Sequence, residues 1–179
     1  VIRGVRAGGI ERETADYMGM VATAINALLL ESFLRKRGQR VAMFSPLPIG
    51  GLIPPYSRNL AMEALEEGKV LLLPGGTGNP HFSTDTAAAI RAIELRCEVL
   101  MKGTKVDGVY EADPREVPGA RRFSRLSYEE FLRRGLKVMD DTAVLLCSRY
   151  GLPILVFDLS EPDGLKKALT EEGSGTIIS

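Results

Sequence analysis

The sequence predicts an α/β fold in three layers, with helices on both faces of a mainly parallel central sheet. Short apolar runs bounded by turn residues alternate with longer segments in which apolar residues recur every three or four positions. The 19 glycines and 10 prolines are spread along the 179 residues, as expected for many short elements joined by turns. Alternating strands and helices with short connections are typical of βαβ units, whose strands run parallel.

Periodicity and capping residues predict six helices. The first is amphipathic and ends in three basic residues before Gly38, which complement the helix dipole. Another begins with a capping box formed by Ser127 and Glu130, and Gly151 ends the one after it. The predicted helices are 14–37, 57–67, 84–96, 126–134, 140–150 and 160–169. The predicted apolar face of the first comprises Tyr17, Met20, Val21, Ala24, Leu28 and Leu29.

Five strands are predicted, at 40–45, 69–74, 98–101, 153–157 and 175–178. The continuous apolar run at 70–73 suits a strand buried on both faces. No repeat, low-complexity tract or linker interrupts the chain, so we expect a single compact α/β unit.

Composition excludes several classes of function. The chain has 23 basic and 23 acidic residues, and a protein that binds nucleic-acid backbone or anionic membrane needs a basic excess. No apolar run approaches the ~18–20 residues of a membrane span, and no basic-then-apolar leader opens the sequence. Cys97 and Cys147 form no CxxC pair, which predicts free thiols in a reducing cytosol, with a disulfide as the minor alternative. We therefore expect a cytoplasmic protein.

A glycine-rich segment at 74–85 follows a predicted strand and leads into a helix. Glycines let the backbone approach an anion closely, and amides at a helix N-terminus favour negative charge. No Gly-Lys-Ser/Thr follows and the spacing is not GxGxxG, so this is neither a P-loop nor a dinucleotide fingerprint. The alternative is a tight βα turn with a Ser or Thr N-cap.

A second segment, 102–114, combines lysines, a threonine and two aspartates. Lys102 and Lys105 could neutralise phosphate, Asp113 could accept from ribose hydroxyls, and Tyr110 could cover a base. The alternative is a solvated hairpin turning at Asp107.

Four further residues have a structural interpretation beside a functional one. Asp140 and Asp16 each begin a predicted helix and could simply cap it. His81 is the one histidine of the sequence, which argues against Ser-His-Asp catalysis and excludes a metal site built from several histidines. We expect its ring to pack beside the loop. Arg3, like Arg6, could hold phosphate or lie in a flexible surface stretch.

Five segments together resemble the bacterial-type uridylate (UMP) kinases of the amino acid kinase superfamily, along the whole chain. They are DYMGM at 16–20, GTGNPHFSTD at 76–85, KGTKVDGVY at 102–110, Ala-Asp-Pro at 112–114 and KVMD at 137–140. The segments at 102–110 and 112–114 are shared across the superfamily and indicate only a nucleotide site. The first two are specific to the uridylate branch.

The resemblance implies transfer of the γ-phosphoryl group of ATP to UMP, with Mg²⁺ accompanying ATP. It implies that Asp16 holds the ribose of UMP and that Asp140 organises catalytic lysines, one of them Lys102. Asp85 would help to position magnesium or the acceptor. The uracil and phosphate of UMP would be held by Thr77, Gly78, Asn79, Pro80, His81, Phe82, Ser83 and Thr84. ATP would contact Arg3, Thr104, Tyr110 and Asp113.

The resemblance also sets expectations beyond the site. The family begins with a strand, a Lys-x-Ser-Gly phosphate loop and a Gly-Gly-Gly-Asn turn, so residues 1–179 are expected to be one kinase domain incomplete at its N-terminus. His81 stands where relatives have an aromatic ring. Relatives are hexamers activated by GTP and inhibited by UTP, so a homohexamer is expected, with the effector response open. Two other functions stay open: a superfamily kinase acting on a carboxylate or carbamate, and a nucleotide-binding storage or regulatory protein.

Overall fold

Helices and short strands alternate along the chain in the computed structural model, which describes residues 9–112, 114, 116–170 and 173–179. These residues fall into two compact units, one within Val1–Ala87 and the other within Ala88–Ser179. The expectation that 1–179 forms a single kinase domain stays a prediction.

The first unit contains two parallel strands and the helices around them. Its elements are α1 Arg12–Lys36, β1 Val41–Met43, α2 Arg58–Glu66, β2 Val70–Leu72 and the start of α3 Thr84–Glu94. In the β1–β2 pair Val41 lies opposite Val70, and Met43 lies opposite Leu72. The prediction that β2 is buried on both faces is wrong for the described residues: Val70 is 37% exposed and Leu72 is half-buried. In the described part of the chain β2 pairs with β1 alone, which leaves its other edge and part of its faces uncovered.

Alanines form the buried stripe of α1. Ala24 and Ala27 pack with Met43 of β1 and with Ile53, and their small side chains let the helix approach closely. The predicted apolar face is therefore partly wrong, because Tyr17, Val21 and Leu29 are exposed whereas Ala24 is buried. Helix α1 carries apolar side chains on every side, so the spacing of these residues alone does not identify the face that packs.

Helix α1 also corrects the expectation that no segment approaches a membrane span. Its 25 residues include an 18-residue window of mean hydropathy 1.4, of which 11% is buried. Isolated polar residues interrupt the apolar run without lowering the average below that of a spanning helix. Core helices of soluble proteins and signal sequences pass the same test, so length and hydropathy alone assign no membrane role to α1.

The second unit is built on a four-stranded sheet with the order β3-β5-β6-β4. Its elements are β3 Leu100–Thr104, β4 Arg125–Leu126, α4 Tyr128–Arg133, α5 Asp141–Tyr150, β5 Ile154–Asp158, α6 Gly164–Thr170 and β6 Gly175–Ile178. The β3–β5 and β4–β6 pairs are parallel and β5–β6 is antiparallel. The predicted α/β class with mainly parallel strands is confirmed. Among the fully buried side chains of this unit are Leu126, Phe131, Val144, Ile154, Val156 and Ile178.

Most element ends differ from the predictions by a few residues, and three differences change the description of the second unit. Strand β3 extends to Thr104, opposite Asp158 of β5, so Lys102 lies in a strand and not in the following loop. Strand β4 was not predicted, and its buried Leu126 pairs with Ile178 before α4 begins. Helix α6 begins at Gly164 and not at 160, because residues 160–163 form a turn on the carboxylate of Asp158.

The predicted caps are largely confirmed. The hydroxyl of Ser127 accepts the Glu130 N–H at 3.1 Å, but the Glu130 carboxylate bonds to Arg134 instead of closing the capping box. Gly151 ends α5 in the left-handed conformation, as predicted. Both cysteines are free thiols, also as predicted, with Cys97 exposed and Cys147 buried.

Candidate functional site

The glycine loop, residues 74–83, lies against the end of β1 in the first unit. Gly75, Gly76 and Gly78 have φ angles of 90°, 59° and 81°, which glycine adopts without strain. A Cβ on Gly75 would lie 2.5 Å from the Ser45 Oγ, so this backbone passes too close to its neighbour for any side chain. The loop conformation therefore depends on its glycines.

One stripe of α1 holds both ends of the glycine loop. Asp16, Met20 and Thr23 lie at helical spacing on the same side of the helix. The Thr23 hydroxyl accepts the Gly75 N–H at 2.8 Å, and Met20 lies beside Gly76. At the far end, Asp16 Oδ2 accepts the His81 N–H at 2.8 Å. The sequence places Asp16 and the loop far apart, and the structure brings them into direct contact.

The carboxylate of Asp16 is held by bonds that favour its charged form. Its side chain is 9% exposed and accepts from Arg12 Nε at 3.0 Å. The His81 backbone hydrogen bond, followed by the Arg12 interactions, lowers the pKa of Asp16 below its usual 3.8. The interpretation of Asp16 as a helix cap is wrong, because α1 begins at Arg12 with Glu11 as its N-cap. Asp16 instead lies one turn inside the helix, facing the loop.

His81 does not pack its ring beside the loop, which corrects a second expectation. Its φ of 69° and its N–H bond to Asp16 fix the backbone, and the imidazole Nε2 lies 3.0 Å from Glu13 Oε1. The ring is 58% exposed. Glu13 lies one turn before Asp16, and its exposed carboxylate holds the imidazole at the surface instead of against the loop.

The rest of the loop combines internal hydrogen bonds with amides open to a ligand. The Thr77 hydroxyl accepts the Asn79 N–H and donates to the Asn79 carbonyl, at 3.1 and 2.9 Å. The Ser83 hydroxyl accepts the Thr86 N–H at 3.0 Å, which confirms the predicted Ser or Thr N-cap for α3. Within the described residues, the N–H groups of Gly76 and Thr77 meet no acceptor. Backbone amides without an acceptor in a glycine-rich loop favour a bound anion.

All the residues predicted to bind UMP therefore lie in the first unit, on the glycine loop, the start of α3 and α1. Phe82 is 56% exposed, and Thr84 and Asp85 occupy the first turn of α3.

The predicted ATP residues that the structure describes lie in the second unit, around the end of β3. The Thr104 hydroxyl accepts the Val106 N–H and donates to its carbonyl, at 2.9 and 2.7 Å. The Tyr110 hydroxyl donates to Asp107 Oδ1 at 2.6 Å, and this bond raises the pKa of the phenol. Tyr110 also pairs with Arg122 in an antiparallel bridge, whereas β3 pairs with β5 and Val109 is buried. The solvated hairpin turning at Asp107 is therefore wrong for the described residues. Arg3, Arg6 and Asp113 lie outside the described residues.

The predicted catalytic residues Lys102 and Asp140 lie in the same unit. Lys102 is half-buried in β3, opposite Val156 of β5. Asp140 is the N-cap of α5, and its Oδ1 accepts the Ala143 N–H at 3.0 Å, so the capping interpretation of Asp140 is confirmed. A carboxylate has two oxygens and can accept from more than one donor, so the cap is compatible with a further role.

Several residues of these sites were not singled out from the sequence. Thr23 carries a usable signal, because it lies seven positions after Asp16 and therefore on the same side of α1. Glu13 likewise lies one turn before Asp16 in α1. The others contact the two sites from distant segments and have no local signal: Ser45, Arg122 and Thr176.

Fold and site together define an α/β protein with a glycine loop held at both ends by one long helix. Residues 3–158 match the family model of the amino acid kinase family, and the chain belongs to this family. The resemblance read from the motifs is confirmed by solved structures. The chain is similar to UMP kinase from Ureaplasma parvum, with 35% identity and a TM-score of 0.93 over 98% of this chain and 75% of that one. It is also similar to UMP kinase from Bacillus anthracis, with 32% identity and a TM-score of 0.95 over 99% and 73% of the two chains.

A third similar structure is the uridylate kinase from Archaeoglobus fulgidus, with 30% identity and a TM-score of 0.72 over 99% and 78% of the chains. The chain therefore spans about three quarters of the length of these proteins. The match covers nearly the whole chain, so α1 belongs to the fold shared with them. The chain is a phosphotransferase similar to the UMP kinases.

Proposed function

We propose that the chain transfers the γ-phosphoryl group of ATP to UMP, giving UDP and ADP. The observation that carries this proposal is the contact of Asp16 with the glycine loop. An ionised carboxylate at 9% exposure and two amides without acceptors in the described part of the chain lie on the same loop. Such a pair suits a ligand that has hydroxyl donors at one end and an anion at the other, as a nucleoside monophosphate does.

In the acceptor site, the ribose hydroxyls of UMP donate to the Asp16 carboxylate. The UMP phosphate is bound by amides of the glycine loop and favoured by the dipole of α3. The uracil is bound by loop residues between Thr77 and Thr84. Asp85, in the first turn of α3, helps to position the acceptor or its metal. Support for this arrangement is that the loop and the start of α3 form one continuous stretch of backbone, which Asp16 contacts at His81.

In the donor site, Thr104, Tyr110 and Asp113 contact ATP and Arg3 reaches its phosphates. Lys102 neutralises charge that develops on the transferred group, and Asp140 orients the catalytic lysines. Support comes from the structure of the segment after β3, where the bond from the Tyr110 hydroxyl to Asp107 holds an aromatic ring at the end of a parallel strand. Ligands of α/β sheets collect at such strand ends.

The reaction requires alignment and charge stabilisation more than a strong base. A phosphate oxygen of UMP bonds to the γ-phosphorus as the bond to the β-bridging oxygen breaks, and ADP leaves. Among the described residues no group of three or more His, Cys, Asp or Glu side chains could hold a metal. Magnesium typically binds proteins through one or two carboxylates together with substrate phosphates, so the carboxylate of Asp85 fits an ion that arrives with ATP. When bound, Mg²⁺ neutralises the phosphate oxygens.

We also propose that the protein acts in the cytoplasm as a homo-oligomer, a hexamer by resemblance, with GTP and UTP as candidate effectors. Exposed apolar side chains along α1 support the oligomer, since a surface of this kind is usually covered. They include Val21, Ile25, Leu29 and Phe33, with Ile25 68% exposed.

An acceptor panel tests the proposed reaction. The full-length protein with ATP and Mg²⁺ is assayed for ADP release with UMP, CMP, an amino acid and carbamate. We expect a kcat/KM for UMP well above that for CMP. Turnover of the amino acid or carbamate without UMP would assign a different acceptor, and ATP binding without any turnover would indicate a storage or regulatory protein.

A further inference from the structure

Arg122 joins three separate segments of the second unit. Its Nη1 donates to the backbone carbonyl of Asp107 at 2.8 Å and lies 3.3 Å from Asp107 Oδ2. Its Nη2 donates to the carbonyl of Gly173, just before β6, at 3.2 Å. The guanidinium is planar and presents two nitrogens in a fixed fork, so it reaches both acceptors at once, which a single lysine nitrogen cannot do.

The stem of Arg122 also touches this turn. A Cβ on Gly108 would lie 2.9 Å from Arg122 Cδ and 2.4 Å from the Thr176 hydroxyl, so the backbone at Gly108 is enclosed from two sides. The next residue is held as well, because the Val109 N–H donates to Thr176 at 2.8 Å. The Thr176 side chain is fully buried, so solvent does not compete for this bond.

Arg122 is connected to Tyr110 by two routes. Through side chains, it contacts Asp107, whose other carboxylate oxygen accepts the Tyr110 hydroxyl at 2.6 Å. Through the backbone, Arg122 and Tyr110 are partners in the antiparallel bridge. The position of the phenol ring is therefore set from both ends by one arginine.

We propose that Arg122 is a positioning residue for the donor nucleotide. It fixes the turn from Asp107 to Tyr110 so that the Tyr110 ring is held where it covers the base of ATP. The proposal rests on the proposed function, which places Tyr110 in the donor site. Loss of Arg122 should weaken ATP binding and leave UMP binding unchanged, because the contacts of Arg122 with the described residues all lie in the second unit and the UMP residues lie in the first.

The test measures ATP affinity by titration calorimetry on the full-length protein without acceptor. We expect Arg122→Gln to raise the Kd for ATP about tenfold, equivalent to 1.4 kcal/mol. Arg122→Lys, which keeps the charge but reaches one acceptor, should fall between Arg122→Gln and the unchanged protein. Lys167→Gln is the matched control, since it removes another half-exposed cation of the same unit, paired with Glu161, and should leave the Kd unchanged.

Steady-state kinetics with both substrates separate positioning from a general structural role. A positioning role predicts that Arg122→Gln raises the KM for ATP and leaves the KM for UMP unchanged. Asp107→Asn is the second variant, for use if Arg122→Gln does not fold, and we expect the same pattern with a smaller rise in the KM for ATP. Equal ATP affinity in Arg122→Gln and Lys167→Gln would overturn the inference. An equal rise of the KM values for ATP and UMP in Arg122→Gln would also overturn it. The same holds if the unchanged protein does not bind ATP. ATP binding that depends on Arg122, without turnover of UMP, would support the inference while refuting the proposed function.

Discussion

The His81 N–H donates to the Asp16 carboxylate at 2.8 Å, which joins two motifs 65 positions apart in the chain. The bond holds the negatively charged carboxylate of Asp16 against the glycine loop. It also means that the group proposed to hold the ribose is positioned by the loop that would hold the base and phosphate. A change at Asp16 should therefore act on the acceptor and spare the donor.

Asp16→Asn tests that separation. Asparagine keeps an oxygen for the His81 N–H but loses the charge that attracts the ribose hydroxyls, so we expect the KM for UMP to rise about tenfold. The KM for ATP should change less than twofold. Glu31→Gln is the control, because Glu31 is also an acidic residue of α1 paired to an arginine one turn away. A larger rise in the KM for ATP than in the KM for UMP would contradict the assignment of Asp16 to the acceptor site.

The stability of the fold should depend on Asp16 in acid. The His81 and Arg12 hydrogen bonds lower the pKa of Asp16 in the folded state below 3.8, so the unfolded chain binds more protons in this range. The stabilisation is therefore complete above the unfolded pKa and is lost as the pH falls through the folded one. Urea unfolding of Asp16→Asn between pH 5 and pH 2 should show a smaller loss of stability than that of the unchanged protein. Equal pH slopes would show that the bonds to Asp16 do not favour the charged form.

Gly75→Ala should be markedly destabilising. The new Cβ would lie 2.5 Å from the Ser45 Oγ at a φ of 90°, so the chain bears both the strain of a positive φ, about 1 kcal/mol, and a steric overlap of about 1–3 kcal/mol. Gly38→Ala isolates the first contribution, because Gly38 has a φ of 80° and open space around it. The free energy of unfolding, measured in urea, should fall further for Gly75→Ala. Equal losses would mean that the loop does not press against Ser45.

Asp140 has a capping role and a proposed catalytic role, and two variants separate them. Asparagine caps helices as well as aspartate does, so Asp140→Asn should keep the melting temperature and lower kcat about 10²-fold. Asp140→Ala should lower kcat similarly and also cost about 1 kcal/mol of stability, through loss of the bond to the Ala143 N–H. A normal kcat in Asp140→Asn would leave the cap as the whole function of this residue.

The two cysteines should differ in reactivity. Burial raises the pKa of the Cys147 thiol to about 11, and Cys147 is fully buried in the core of the second unit, whereas Cys97 is exposed. An aromatic disulfide reagent near pH 8 should modify Cys97 in the folded protein and Cys147 only after denaturation. Peptide mapping assigns the modified residues. Rapid modification of Cys147 under native conditions would contradict the packing around α5.

Much of the fold could be predicted because local rules agree with it. Gly151 ends α5 and Ser127 caps α4, as their positions in the sequence indicate. Local rules failed where a distant partner decides. Strand β4 is two residues long and exists through pairing with Ile178, and β3 extends to Thr104 through pairing with β5. The packed face of α1 was predicted only in part, because Ala24 and Ala27 are among its buried members whereas the larger Tyr17, Val21 and Leu29 are exposed.

In the candidate site, too, contiguous residues could be predicted from the sequence and long-range contacts could not. The glycine loop and the start of α3 are contiguous in sequence, so their residues could be identified together. The contacts that hold the loop come from Thr23 and Ser45. Thr23 could have been found from its spacing to Asp16 on α1, whereas Ser45 is a common residue type with no such pattern. His81 was misread because its backbone, and not its ring, makes the contact with Asp16.

The most direct test of the account follows the label from ATP carrying ³²P at the γ-position, incubated with the full-length protein, Mg²⁺ and UMP. The account predicts labelled UDP formed in step with ADP, at a rate that Asp16→Asn lowers when UMP is limiting and ATP is saturating. Label released as inorganic phosphate at a rate indifferent to UMP, or label retained in ATP, would contradict it.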